Sequence, residues 1–362
     1  MQSTMEQLPD ARPLVENLLD RALVGRASDV HIEPVAEGYE LKFRIDGLLQ
    51  RDETLSRQVG EALVNCLMVM GRLLTYRRDI PQEGRMPVGT AHHGTVELRL
   101  SVIPTLHGLR AVVRMPAELL GPHSLADLSL PEHALNFLYS FASAEQGLLA
   151  ITGPAGSGKT TTVYALLQYI QTHAPGTSII SLEDPIERGL AGVTQIEITP
   201  FGEFGYARAL KSILRQDPQV LALGEIRDAQ TASLAVEAAL TGHRLICTMH
   251  AGSPAAAISR WMEMGIERYQ ITASVHGILN QRLLRRKTGE KYHGRVPVAQ
   301  CAWMDSALRG AIAAEGDMDM INEVINGQSG FRSLADLGQE LIANGSTDAA
   351  EVQRVLGPQG RG

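Results

Sequence analysis

Residues 148–160 read LLAITGPAGSGKT, and residues 161–170 continue as TTVYALLQYI. The apolar run at 148–152 predicts a buried strand, 153–160 a glycine-rich loop, and the stretch after it a helix. That order of strand, loop and helix is what a phosphate-binding loop requires. Gly153, Gly156 and Gly158 let backbone N–H groups turn inward around phosphate oxygens, and the start of the helix adds its positive end. Pro154, Ser157 and Thr161 complete the loop and its exit. Lys159 is placed to reach the β- and γ-phosphates, and the Thr160 hydroxyl to coordinate Mg²⁺. The segment predicts a nucleotide-binding enzyme that hydrolyses ATP. The plain alternative, a glycine-rich turn with an exposed lysine, leaves the strand before it and the helix after it unexplained.

Phosphoryl transfer also needs an acid near the metal and a group that orients the attacking water, both supplied from the ends of neighbouring strands. Residues 220–225, VLALGE, are an apolar run ending in an acid, with Gly-Glu where an Asp is usual at a Walker B position. Glu225 is the candidate for holding Mg²⁺, directly or through water. Residues 178–185, SIISLEDP, form another such run, stopped by Pro185, and Glu183 is the candidate base. A solvated acid at a strand end is the alternative for each, and the phosphate loop weighs against it for at least one. A further run, 245–248, lies between His243 and His250; each could sense the γ-phosphate or bridge to a neighbouring strand.

Apolar runs at 148–151, 178–182, 220–223 and 245–248 alternate with helical segments, the signature of a buried parallel sheet and here of a RecA-like α/β core. Upstream the grammar differs. Leu14, Val15, Leu18, Leu19, Ala22 and Leu23 fall at helical spacing. Val30 and Ile32, then Tyr39, Leu41, Phe43 and Ile45, alternate with polar residues up to an Asp46-Gly47 turn signal. A second helix over 59–74, the Gly- and Pro-containing segment 81–89 and two alternating runs at 96–103 and 109–115 complete a small α+β domain over 1–115. Prolines, a glycine and serines interrupt the periodicity at 116–131, which places a linker there. The ATPase core then spans 132–286 and a C-terminal helical subdomain 287–362. From about residue 271 the chain reads mostly as helix, including 331–343 and 347–356.

Composition narrows the class. At 362 residues, with 44% hydrophobic and 20% charged residues, the chain can bury at least two cores and has no low-complexity tract. A formal net charge of -7 lacks the basic footprint of a nucleic-acid binder. Cys66, Cys247 and Cys301 are scattered singly, as buried thiols in a reducing compartment are, not as a disulfide framework is. No run of about 18 apolar residues occurs, and the N-terminus MQSTMEQLPDARP has no basic n-region or apolar h-region. These features predict a soluble cytoplasmic chain whose membrane role runs through partners.

With these motifs in place, the sequence resembles the secretion ATPases of type II secretion and type IV pilus systems, including pilus assembly and retraction motors. The resemblance rests on blocks in the family's order: SDVHIEP (28–34), FRIDG (43–47), LRLSVIPTLHGLRAVVR (98–114), GPAGSGKTTT (153–162), LEDPIE (182–187), LRQDPQVLALGEIRD (214–228), TGHRLICTMHA (241–251) and LNQRLLRR (279–286). It implies a PAS-like N-terminal domain, a RecA-like P-loop ATPase domain and a homohexameric ring with nucleotide between the two domains. It further implies a motor peripheral at the inner membrane, engaging a platform protein to power assembly or retraction of a pilus or pseudopilus.

On the matching positions Glu183 falls in the aspartate box as catalytic glutamate, Glu225 in the atypical Walker B, and His243 and His250 in the histidine box. Two arginines of the first domain that reach the phosphates match Arg99 and Arg114. The strand pattern agrees, since Arg99 shares a face with Glu97 and Ser101 and Arg114 alternates against Val113; Arg85 and Arg110 are weaker candidates.

Two departures matter. Residues 287–301, KTGEKYHGRVPVAQC, lack the paired CxxC element of many assembly-type members, so no structural zinc is expected. The PAS-like block begins within the first thirty residues, so the extra N-terminal docking domain of many assembly-type members is not expected here, which leaves assembly and retraction both open, while residues 331–356 look more like the assembly branch. Two readings from other classes stand beside this one. Acidic charge and the LEDPIE and TGH blocks argue against a nucleic-acid-translocating ring, and the presence of both Glu183 and Glu225 argues against a scaffold that only senses nucleotide.

Overall fold

A computed structural model describes residues 11–90, 94–116, 124–198 and 205–357. The chain forms two compact units, Met1–Gly121 and Pro122–Gly362; residues 117–123 of the expected linker lie outside the described residues.

The first unit runs α1 (Ala11–Val24), β1 (Asp29–Val35), β2 (Gly38–Ile45), β3 (Leu48–Leu55), α2 (Arg57–Met70), β4 (Gln82–Thr90), β5 (Gly94–Thr105) and β6 (Gly108–Arg114). Its six strands form one antiparallel sheet in the order β3-β2-β1-β6-β5-β4. Val15, Leu18, Leu19 and Ala22 of α1, spaced to share one face, are buried. With Leu63, Leu67 and Met68 of α2 they pack against Val30, Ile32, Leu100 and Val113 from the sheet. α1 and α2 cover one sheet face, so apolar and polar residues alternate along β5 and β6. Asp46 and Gly47 both take positive φ, 50° and 85°, as the tight β2–β3 turn requires.

Two strands depart from the sequence reading. β4 occupies the Gly- and Pro-containing segment 81–89, where Pro87 is tolerated because β4 is an edge strand with one side free of ladder bonds. β3, at the opposite edge, is exposed along most of its length and so shows little alternation.

In the second unit the elements are α3 (Glu132–Ala142), β7 (Gly147–Thr152), α4 (Lys159–His173), β8 (Ile179–Glu183), β9 (Thr194–Glu197), α5 (Tyr206–Ile213), β10 (Val220–Leu223), α6 (Ala229–Leu240), β11 (Arg244–Met249), α7 (Pro254–Glu263), α8 (Arg268–Ser274), β12 (Val275–Thr288), β13 (Lys291–Trp303), α9 (Ser306–Ala313), α10 (Met318–Asn326), α11 (Leu334–Ala343) and α12 (Ala349–Leu356). The seven-stranded sheet has the order β13-β12-β7-β11-β10-β8-β9. β12, β7, β11, β10, β8 and β9 pair in parallel, and β13 is antiparallel to β12. Every residue of β7, β8 and β10 is buried, as expected of central strands with helices on both faces. This is the RecA-like architecture, with residues 306–356 forming a helical C-terminal part.

The expectation of helix from residue 271 is corrected by the long β12–β13 hairpin, which crosses the boundary expected after residue 286. In β12 the run Ile278, Leu279 gives way to Asn280, Gln281 and Arg282, polar yet buried. That sequence hides a core strand behind an apparently amphipathic pattern. Cys247 and Cys301 are buried free thiols, and burial pushes the Cys247 thiol up to about 12. No described helix is long and apolar enough to cross a membrane.

Candidate active site

The parallel sheet brings the C-terminal ends of β7, β11, β10 and β8 to one edge, the place where ligands bind in open α/β sheets. β7 feeds the phosphate loop. Gly153 takes φ 145°, and a Cβ there would lie 2.5 Å from the Gln281 carbonyl oxygen and 2.6 Å from Ser157 Oγ, so only glycine lets the loop close this tightly. α4 then starts at Lys159 with no side-chain cap, leaving its first N–H groups for an anion.

Lys159 Nζ donates to the carbonyls of Gly153 at 2.9 Å and Pro154 at 3.0 Å. Burial holds its pKa below the ordinary lysine value, Arg282 adds to that, and the Glu225 carboxylate opposes it. Ser157 Oγ is buried without a hydrogen-bond partner, a polar atom that a bound phosphate oxygen would satisfy. Gly156, Gly158, Thr160 and Thr161 complete the cradle. The donor set fits a nucleoside triphosphate with Mg²⁺, whose octahedral shell draws on one or two protein ligands, phosphates and water. Among the described residues no cluster of three or more His, Cys, Asp or Glu is arranged to hold a metal by itself.

From β11, His250 reaches this loop. Its Nδ1 lies 3.1 Å from the Gly153 carbonyl oxygen, and its Nε2 lies 3.1 Å from Glu225 Oε1. Glu225 is bracketed from its other side by Arg227, at 2.6 Å and 2.7 Å from Oε2. The glycine that precedes Glu225 has a steric reason. A Cβ on Gly224 would sit 2.6 Å from the Tyr206 hydroxyl and 3.2 Å from the Leu182 carbonyl oxygen. Lacking one, the ends of β10 and β8 lie close, with Gly224 N–H donating to that carbonyl at 2.8 Å.

Glu183, at the end of β8, is 6% exposed and held by three donors. Ser181 Oγ at 2.6 Å and Gln195 Nε2 at 2.9 Å donate to Oε1, while the Tyr164 hydroxyl donates to Oε2. Burial, then the Glu183 carboxylate, push the Tyr164 phenol above its ordinary value, so it stays a donor.

The two histidines part company. β11 separates them, and its six residues at about 3.3 Å each put roughly 20 Å between the two ends. His243 Nδ1 lies 2.9 Å from the Ala238 carbonyl oxygen, where it closes the α6–β11 turn at the sheet edge opposite the phosphate loop. The sequence pairs the two histidines; the structure brings only His250 to the site.

In the first unit the ladder pairs Arg44 with Asp29, Asp29 with Arg114, Arg114 with Arg99, and Arg99 with Arg85. Directly paired residues share a sheet face, so four arginines and one carboxylate form a row across five strands. Asp29 Oδ1 accepts from Arg114 Nε at 2.9 Å, and Oδ2 lies 3.4 Å from Arg44 Nε. The Arg114 side chain is 70% exposed and available to an anion. Arg110 stands off this row, bonded to Glu33 and His31. Tyr164, Gln195 and Gln281 were not singled out by the sequence reading. The available signal was a polar residue inside an apolar strand or helix, which becomes informative only once burial is known.

Residues 6–354 match the family described as type II/IV secretion system protein. The chain is 33% identical over 364 residues to the type II secretion system protein HxcR of Pseudomonas aeruginosa, covering 94% of this chain and 76% of that protein. It is 31% identical over 402 residues to the type II secretion system ATPase E of Vibrio cholerae, covering 98% and 79%. Among solved structures, the pilus retraction motor PilT with bound ADP superposes with a TM-score of 0.67 at 25% identity, covering 94% of this chain and 96% of that one. A match over nearly the whole length, together with an intact phosphate loop on a RecA-like sheet, establishes that this chain belongs to the type II/IV secretion system protein family and is a P-loop ATPase.

Proposed function

We propose that the chain is the motor ATPase of a type II secretion or type IV pilus machine, with the assembly branch favoured over retraction. The observation that carries the chemistry is the convergence of Lys159, Glu225 and His250 on one phosphate loop whose Ser157 hydroxyl is buried and unpartnered. Residues 153–161 cradle the triphosphate, with Lys159 leaving the loop carbonyls for the β- and γ-oxygens. Thr160 and Glu225 would hold Mg²⁺, which neutralises charge on those oxygens. Glu183 orients the attacking water. Its hydrogen bonds with Tyr164, Ser181 and Gln195 support a carboxylate whose aim is fixed before reaction. Arg99 and Arg114 stabilise the transferring phosphoryl group, supported by their shared row and by the exposure of Arg114.

The working form is a homohexamer in the cytoplasm that docks on a membrane platform protein and moves its domains with nucleotide state; the family membership supports this. The test is ATP turnover by the purified chain, followed by capture of partners from membranes of the source cells with Glu225→Gln loaded with ATP. Turnover abolished in Lys159→Ala, with a polytopic membrane protein recovered, supports the reading. Turnover stimulated by DNA with steep salt dependence would replace it with a nucleic-acid motor.

A further inference from the structure

β12 runs beside β7, with Leu279 opposite Ile151 and Asn280 opposite Thr152, so it passes the phosphate loop where β7 ends. At that point it carries Asn280, Gln281 and Arg282, which are 0%, 1% and 7% exposed. Three consecutive polar residues in a sheet interior are unfavourable unless each finds partners. All three do, and each of the two loops of the active site supplies some of the partners.

Gln281 Nε2 donates to the Ser157 carbonyl at 2.7 Å, and its Oε1 accepts from Thr162 Oγ1 at 3.0 Å. One amide thus ties the middle of the phosphate loop to the first turn of α4. Asn280 Nδ2 donates to Thr152 Oγ1 at 2.8 Å and to the Ala251 carbonyl at 3.0 Å. Arg282 Nη2 donates to the Gly252 carbonyl at 2.9 Å, and its Nη1 to Asn280 Oδ1 at 3.2 Å and the Gln281 carbonyl at 3.0 Å. Ala251 and Gly252 directly follow His250.

A glycine-rich loop is intrinsically soft, and donors stabilise a transferring phosphoryl group only if they are aimed beforehand. We propose that Asn280, Gln281 and Arg282 are positioning residues for ATP hydrolysis: Gln281 fixes the phosphate loop, and Asn280 with Arg282 fixes the segment that carries His250. The inference rests on the reading of residues 153–161 as the nucleotide site. It assigns different parameters to adjacent residues. Loss of Gln281 should appear in nucleotide affinity, because the loop contacts phosphates common to ADP and ATP. Loss of Arg282 should appear in kcat, because the His250 segment approaches the loop from the side of Glu225.

Fluorescent N-methylanthraniloyl-ADP titration, steady-state turnover and thermal melting of the full chain test this in Gln281→Leu, Gln281→Glu and Arg282→Met. Expected are ADP binding weakened about tenfold or more in both Gln281 variants, and kcat lowered about tenfold with ADP affinity nearly unchanged in Arg282→Met. Gln281→Glu is nearly isosteric and keeps an acceptor for Thr162, so it decides the matter if Gln281→Leu does not fold. Unchanged ADP affinity in a folded Gln281 variant overturns the proposal. So does a uniform loss of affinity and kcat in step with melting temperature, which is what a merely structural role gives. A wild-type chain that binds no ADP would instead bring down the nucleotide site itself.

Discussion

The two sheets of this chain solve the problem of presenting charge in opposite ways. In the antiparallel sheet of the first unit one face packs on α1 and α2, and the other carries Arg44, Asp29, Arg114, Arg99 and Arg85 in a single transverse row. Charge there is presented on a face, to which every second residue contributes. In the second unit the central strands are buried on both faces, so no face is available. Polar groups are pushed to the strand ends, where Glu183, Glu225, His250 and the phosphate loop collect. Where a residue falls along a strand decides its role in the parallel sheet, and its parity decides it in the antiparallel one.

The largest effect that can break this contrast is on the arginine row. Arg114→Ala or Arg99→Ala should lower ATP turnover about 10³-fold or more while leaving ADP binding intact, as read by steady-state kinetics and nucleotide titration. Normal turnover in both would confine the chemistry to the strand ends of the second unit. Next, Glu183→Gln should reduce kcat about 10²- to 10⁴-fold with unchanged nucleotide affinity. A rate within twofold of wild type, measured under the same conditions, would pass the water-orienting role to Glu225.

A smaller effect concerns stability. The C-terminal helices are fastened to the far end of β12 by Glu351, whose side chain is fully buried and bonds Arg285 at 2.7 Å and Arg354 at 2.5 Å. Burial alone would raise this carboxyl, but bonds from Arg354, Arg285 and the Arg285 backbone N–H bring it down to about 2. A folded-state value below the unfolded value of about 4.3 stabilises the protein above that pH, by about 3 kcal/mol, and the gain is lost as pH falls toward about 2. Glu351→Gln should therefore lower unfolding free energy at neutral pH by about that amount and flatten its acid dependence. Denaturant unfolding between about pH 2 and pH 7 checks this; parallel curves for variant and wild type would contradict it. The smallest effect sharpens the rule of strand ends. His243→Ala should leave turnover within about twofold, whereas His250→Ala should lower it about tenfold. Equal losses would mean that position along β11 does not sort the two.

Much of this was legible because it is local. The loop at 153–160 announces itself through glycines that only close backbone approach explains, and the apolar runs give the parallel sheet through their length. The Asp46-Gly47 turn reads equally well, since both residues accept positive φ. β4 and the β12–β13 hairpin did not. Pro87 disguises an edge strand, and Asn280, Gln281 and Arg282 disguise a core strand, because a strand's tolerance for proline or polar side chains depends on its neighbours.

The sequence by itself determined that a phosphate loop exists, that acids end two core strands, and that arginines alternate outward on a sheet. The tertiary structure decided which of these meet. It set His250 against Glu225 and the loop while leaving His243 at the far edge, buried Glu183 behind Tyr164, and placed Gln281 under the loop. Those outcomes depend on strand order and on which strand ends are adjacent, set by contacts between segments far apart in the chain that no local spacing encodes.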